Sequence, residues 1–222
     1  MNLLADRRRE EKERRRDDIL DAAAAVAAES GIDAITMDQV ARRARLSRAL
    51  LYVYFLDRTD LLLGLCQRAI DLLQQRFVEV TAREATGLDR MSAMGRAYIA
   101  FAQELPVYFE VLARFEAGGG GGGGGPDEPP AADSNLASCM AGGDRVHQVM
   151  TDAIRAGIAD GSIRGNVGNA DAVAIVLWGF MHGVIQLVAT KGAMLATRGV
   201  TPELLFEQAR ELALQSLKGN PA

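Results

Sequence analysis

The chain has 222 residues, 49% of them apolar and 24% charged, with a net charge of −4. This composition supports a sizeable core and excludes wholesale disorder, while the acidic balance excludes a globally basic coat, so any nucleic-acid contact must come from a local patch. Two cysteines, Cys66 and Cys139, exclude a disulfide scaffold and a four-thiolate zinc site, and two histidines, His147 and His182, leave little material for a metal centre.

Period-two alternation is absent, and the chain reads as helices separated by short breakers. Met1 to Arg16 is dominated by Arg and Glu, without the apolar stretch of a signal peptide, and the cysteine usage suits a reducing cytosol. The first helix is expected over Arg8 to Ser30, with Ile19, Leu20, Ala23, Val26 and Ala27 at helical spacing and Gly31 as its stop. Thr36 caps a short second helix, Met37 to Ala44, with Gln39 placed to complete a capping box. Arg45-Leu46 makes a turn, and Ser47 caps a third helix running to about Tyr54.

Asp57 or Thr59 begins a long fourth helix reaching about Arg83. Leu88 to Glu104 and a segment opened by Pro106 and ending near Phe115 form the fifth and sixth. Gly118 to Pro130 then reads GGGGGGGGPDEPP, a flexible insert that lacks the Lys-Ser/Thr ending of a phosphate-binding loop. A seventh helix is expected from Gly143 or Asp144 to Ala159. An eighth, capped by Asn169 or Asp171, contains the nearly uncharged run Ala172 to Thr190, and a ninth follows Thr201-Pro202 to about Leu217. The apolar run is long enough to span a membrane, but it is the single such run, and burial among other helices is the favoured explanation of a helix apolar on all sides.

The informative stretch is Ile35 to Leu63, where two short helices meet at a tight turn after a longer supporting helix: a helix-turn-helix layout. Met37, Val40, Ala41, Ala44, Leu46, Leu50, Leu51 and Phe55 can form its small core. Arg42, Arg43, Arg45 and Arg48 are left for solvent, with no acid between Arg42 and Asp57, and Tyr52 and Tyr54 lie beside them. A charge run is often only a solvated helix face, which is an equal alternative for Arg7–Arg16 because acids are interleaved there. That reading is harder to hold for a basic patch on a recognition helix.

From about Ile19 to Leu65 the chain resembles the TetR family of transcriptional repressors. The resemblance rests on the capped helix Thr36–Ala44, the turn Leu46-Ser47, the segment Leu51-Tyr52-Val53-Tyr54-Phe55, and the following Arg58-Thr59-Asp60-Leu61-Leu62. Arg45 stands where the family commonly has a turn glycine, Arg58 where it usually has a lysine, and Leu50 where many relatives have a small polar residue. The resemblance implies an all-α fold of about nine helices. Residues 1–57 would form a three-helix DNA-binding domain, and 58–222 a helical-bundle ligand-binding and dimerisation domain with the insert at 117–135.

On this reading Thr36 and Ser47 offer helix N-termini to phosphates, Tyr52 and Tyr54 donate hydroxyls to phosphate, and Arg42, Arg45 and Arg58 add phosphate contacts. Arg48 reads guanine, Ala49 touches a thymine methyl, and the Arg7–Arg16 stretch supplies a basic arm to the neighbouring groove. The partners implied are operator DNA, a second copy of the chain and a small, apolar effector, with no cofactor, metal or membrane. Candidate effector-binding residues are Tyr98, Phe101, Tyr108, Phe109, Phe115, His147, Met150, Trp178 and Met181, for each of which plain core packing is the alternative. Candidate dimer contacts are Trp178, Gly179, His182, Gly183, Gln186, Leu205, Ala209 and Leu212. Two other functional classes stand beside this one. No catalytic triad or His-x-x-x-His pattern supports an enzyme, and Cys139–His147 is weak evidence for one. A helical adaptor that has lost specific DNA binding, or a transcriptional activator, would share most of these features.

Overall fold

The structure is a computed structural model that describes residues 3–119, 131 and 134–219. Most of the Gly/Pro-rich insert expected at 117–135 lies outside the described residues. Among those residues the α-helices are α1 (Leu3–Ser30), α2 (Met37–Arg43), α3 (Arg48–Tyr54), α4 (Arg58–Thr81), α5 (Gly87–Glu104), α6 (Pro106–Arg114), α7 (Asn135–Asp160), α8 (Ala170–Thr197) and α9 (Pro202–Leu217). A 3-10 turn, Ile32–Ala34, follows α1, and a π-turn, Phe115–Gly119, follows α6. No strand forms among the described residues; a lone antiparallel bridge pairs Ile163 with Lys218.

The helix starts follow local chemistry. Thr36, Ser47, Thr86, Asn169 and Thr201 each accept a backbone N–H of the first turn of the helix they precede. Three elements differ from expectation. α1 begins at Leu3, and α7 begins at Asn135, running through Gly142 and Gly143 rather than starting at Gly143 or Asp144. Ser134 caps α7 through the Ala137 amide at 3.1 Å, and buried Cys139 anchors the first turns, so packing overrides the glycines' poor helix propensity. α8 extends to Thr197 across a kink at Lys191.

The chain divides into two compact units: Met1–Ala69 with Pro106–Met140, and Ile70–Leu105 with Ala141–Ala222. α4 and α7 each contribute residues to both.

In the first unit the apolar stripe of α1 (Ile19, Leu20, Ala23, Val26, Ala27) is buried with Val40, Leu51, Phe55, Leu61 and Leu65. Gly64 is the place where α4 lets Phe55 in: a Cβ there would sit 2.7 Å from the Phe55 ring. The Arg16 guanidinium lies over the Phe55 ring, 5.1 Å from its centroid, close to the same Gly64 gap. It also donates to the Asn135 side-chain oxygen at 2.7 Å, and the Asn135 amide donates to Asp60 at 2.7 Å.

In the second unit Phe77, Met94, Tyr98, Phe101, Ile154 and Ala174 form the centre of the core. α5 meets α7 backbone to backbone at Gly87 and Gly157, where any side chain at 87 would overlap the Gly157 main chain. The Asp160 carboxylate accepts the Gly87 and Ser162 amides, both at 2.8 Å, so the end of α7 caps the start of α5. The Ser162 hydroxyl first, and then the Gly87 and Ser162 amides, hold the Asp160 carboxyl below its ordinary range.

Candidate nucleic-acid interface and apolar cavity

The turn between α2 and α3 is fixed at both ends. At the start of α2 the Thr36 hydroxyl accepts the Gln39 amide at 3.2 Å while the Gln39 side chain accepts the Thr36 amide at 2.9 Å, completing the capping box. At the other end Ser47 accepts the Leu50 amide at 3.2 Å. Between them Arg45 adopts φ 57°, the single non-glycine positive φ among the described residues, and the Leu46 amide closes onto the Ala41 carbonyl at 2.9 Å. The family's glycine position is thus occupied by an arginine in the left-handed conformation that glycine tolerates best.

This geometry leaves one face of α3 in solvent. Met37, Val40, Ala41, Leu51 and Phe55 are buried beneath it; Arg42, Arg45, Ser47, Arg48, Ala49 and Tyr52 are exposed, and Tyr54 is half-buried. Leu50, expected in the core, is 37% exposed instead, because Leu51 takes the inward position of that turn. Val53 and Leu56, which sequence reasoning passed over, are 70% and 80% exposed. The signal was available in the helical repeat, since Ala49 and Val53 are four apart on one face.

The arginines differ in what they touch. Arg48 lies 5.6 Å from the Tyr52 ring centroid and 3.3 Å from the Asp38 carboxylate. Its side chain is therefore held along the exposed face rather than sampling freely. Arg43 pairs with Glu29 at 2.7 Å, and Arg42 donates to the Asp38 carbonyl at 3.3 Å. Arg45 has no side-chain partner among the described residues. Arg58, expected at a phosphate, points into the protein: its guanidinium donates to the carbonyls of Ile32 at 2.8 Å, Ile35 at 2.9 Å and Asp33 at 3.3 Å. It ties the start of α4 to the connection between α1 and α2.

Along the Arg7–Arg16 stretch, now part of α1, Arg9, Arg14 and Arg15 pair with acids on the same helix, and Arg16 turns inward.

The second unit holds a small apolar cavity of about 50 Å³, partly open to solvent. Of the expected effector-binding residues, Tyr98, Met150, Trp178 and Met181 line it. His147 packs edge-on against Trp178 with centroids 5.4 Å apart, and Phe101 is buried under the Arg76 guanidinium. Tyr108, Phe109 and Phe115 belong to the first unit, where Phe115 lines a groove with Ile32, Arg58 and Cys66. Phe77, Met91, Met94 and Arg210 are among the wall residues that were not expected there.

The wall is braced by rings and hydrogen bonds. Tyr98 stacks on Trp178 at 4.6 Å, and Phe77 meets Tyr98 edge-on at 6.3 Å. The Gln186 amide donates to His182 Nε2 at 3.0 Å, which leaves the ring proton on Nδ1, 2.6 Å from the Tyr98 hydroxyl. Burial lowers the pKa of His182, and that of His147 falls for the same reason, with Asp144 opposing.

The expected dimer residues fall on different faces. His182 and Ala209 are buried within the chain, Trp178 faces the cavity, Gln186 supports His182, and Leu205 is half-buried. Gly179, Gly183 and Leu212 are exposed, and with them Ile175, Val176, Phe180, Leu187 and Met194 on α8 and Leu204 on α9. α8 is also long and apolar enough to cross a membrane by length and composition. Among the described residues no cluster of His, Cys, Asp and Glu has the arrangement of a metal site.

The profile of the bacterial regulatory proteins of the tetR family matches residues 19–65, and that of the tetracyclin repressor-like C-terminal domain matches residues 91–211. No curated protein matches the chain. Among solved structures, a protein from Saccharomonospora viridis in complex with choline is 19% identical, with 92% of this chain and 98% of that one covered and a TM-score of 0.70. A bacterial regulatory protein of the tetR family from Rhodococcus RHA1 is 16% identical over 93% and 98% of the two chains, with a TM-score of 0.67. The transcriptional regulator FadR from Bacillus subtilis, in complex with stearoyl-CoA, is 14% identical over 90% and 98%, with a TM-score of 0.66. At these identities the likeness is one of fold, whereas the two profiles cover both the helix-turn-helix and more than half of the chain beyond it. The chain belongs to the TetR family of bacterial regulatory proteins.

Proposed function

We propose that this chain is a cytoplasmic, dimeric transcriptional repressor that binds a palindromic operator through α3 and releases it when a small apolar ligand enters the cavity of the second unit. The observation that carries this reading is the exposed face of α3, where Arg48 is held over Tyr52 beside Ala49, Arg45 and the N-terminus of the helix. A forked guanidinium on a helix of this kind suits guanine in the major groove, and the methyl of Ala49 suits thymine.

Residues 1–57 act as the DNA-binding portion and 58–222 as the ligand-binding and dimerisation portion. Thr36, Arg42, Arg45, Ser47, Tyr52 and Tyr54 contact phosphates, while Arg58 positions α4 from within. The exposed apolar stripe of α8, with Leu204 and Leu212 of α9, pairs with a second copy; burial in a dimer accounts for its composition without a membrane. The structures with bound stearoyl-CoA and choline support a ligand-receiving role for the cavity. Ligand entry changes the course of α4, which contributes to both units, and with it the spacing of the two recognition helices.

The test is binding to the DNA flanking the protein's own gene across a salt series, with the Arg48→Ala, Tyr52→Ala variant alongside. Tight binding that weakens steeply with salt and is lost in the variant is the expected result. Weak binding, equal on any DNA and unchanged in the variant, would favour the adaptor reading, for which exposed Val53 and Leu56 would be the contact surface.

A further inference from the structure

The cavity contains one charged group, Arg210, and among the described residues no acid pairs with it. Met91, Met94, Met150 and Met181 line the cavity with Trp178, and Arg210 of α9 enters the same wall. Arg210 is half-buried, and its Nε is shut off from solvent without a hydrogen-bond partner. No aspartate or glutamate lines the cavity, and Arg210 forms no ion pair among the described residues. Glu211, its neighbour on α9, instead accepts from Gln208 and Gln215 at 3.3 and 3.0 Å.

The stem of Arg210 passes α5 at Gly95, where a Cβ would stand 3.8 Å from its Cγ. One turn back on α5, Ser92 also lines the cavity. Its oxygen accepts from Arg96 at 2.8 Å, which leaves its own proton to donate. Arg210, with its unpartnered Nε, and Ser92, three residues from the glycine that the Arg210 stem passes, are thus the wall residues offering N–H and O–H donors to an otherwise largely apolar pocket. Leaving a partly buried guanidinium N–H unmatched is costly, and a carboxylate, which accepts two parallel N–H bonds, matches it best. Methionines, flexible and polarisable, repack around an unbranched chain more readily than branched side chains do.

We propose that the ligand of this cavity is an amphipathic carboxylic acid, its apolar body among the methionines and Trp178 and its carboxylate on Arg210 and Ser92. This inference rests on the proposed effector role of the cavity, and adds the charge that selects the effector.

Trp178 is the only tryptophan of the chain and lies in the cavity wall, so its fluorescence reports occupancy directly. The experiment titrates the full chain with decanoate, 1-decanol and decanoyl-CoA, for the wild type, Arg210→Gln and Arg210→Lys. In the wild type decanoate binds about tenfold or more tighter than decanol, as expected for a charge-assisted pair out of bulk water. In Arg210→Gln that preference collapses to about twofold while decanol binding persists, which shows the cavity intact. Arg210→Lys falls between, because it keeps the charge and loses the fork.

Equal affinities of decanoate and decanol in the wild type would overturn the inference and leave the effector reading standing. So would a response to decanoyl-CoA with none to decanoate, since the anion would then lie outside the cavity. No change in Trp178 emission with any of the three would also overturn it. Conversely, a decanoate preference that depends on Arg210 without any release of operator DNA would uphold the inference and refute the effector reading.

Discussion

Arg45 places stability and DNA binding in opposition at a single position. Its φ of 57° lies in the left-handed region, where an L side chain costs about 1–2 kcal/mol relative to the right-handed form. Glycine removes that cost but loses about 0.5–1 kcal/mol more backbone entropy on folding. The exposed Arg45 side chain has no partner among the described residues, so no contact there is lost. Arg45→Gly is therefore expected to stabilise the protein by about 0.5–1 kcal/mol, a rise in Tm of about 1–4 °C for a chain of this length. Thermal unfolding followed by circular dichroism measures this.

The same substitution removes one cation from each recognition surface. If Arg45 neutralises one phosphate per protomer, the slope of log K against log salt drops by about 1.8 for a dimer. Arg45→Lys keeps both the charge and the left-handed strain, and should change neither quantity. A glycine variant no more stable than the wild type would refute the strain argument. A more stable variant with an unchanged salt slope would remove Arg45 from the DNA-contacting set and leave the strain argument intact.

Three further outcomes follow from other parts of the molecule. Arg58→Met strands the carbonyls of Ile32, Asp33 and Ile35, and should cost about 2 kcal/mol in denaturant unfolding with the salt slope of DNA binding unchanged; a reduced slope would return Arg58 to the phosphate contacts. His182 and His147 have pKa values lowered by burial, so the unfolded chain takes up protons first as pH falls. Stability should hold above the ordinary histidine pKa of about 6.5 and decline as the pH falls through the window below it, before the carboxylates titrate. His182→Gln should flatten that decline in urea melts, and a wild-type profile level across the window would refute the assignment. Phe180→Glu with Leu187→Glu should convert the dimer to monomer in sedimentation equilibrium with helix content retained, and an unchanged mass would place the interface elsewhere.

The amino-acid sequence alone determined the features that close within a few residues. The Thr36–Gln39 capping box, the Ser47 cap, the proline start of α9 and the glycine stop of α1 each involve groups no more than four positions apart. Their partners lie within reach in the local sequence, so they can be read without knowing what the helices pack against. The helix-turn-helix was legible for the same reason, together with the acid-free run of arginines that marks its exposed side.

Tertiary structure decided what depends on distant partners. Arg58 could have reached outward, but the carbonyls at 32, 33 and 35 lie within its span once α4 docks. α7 runs through two glycines because Ser134 and Cys139 secure its first turns. Four of the nine aromatic, histidine and methionine residues expected around a ligand line one cavity, and Arg210 joins them from α9, more than a hundred positions after Gly95. Helical periodicity states which side of a helix is apolar, but not which other helix that side meets. The neighbours of a long side chain are settled only when the helices pack.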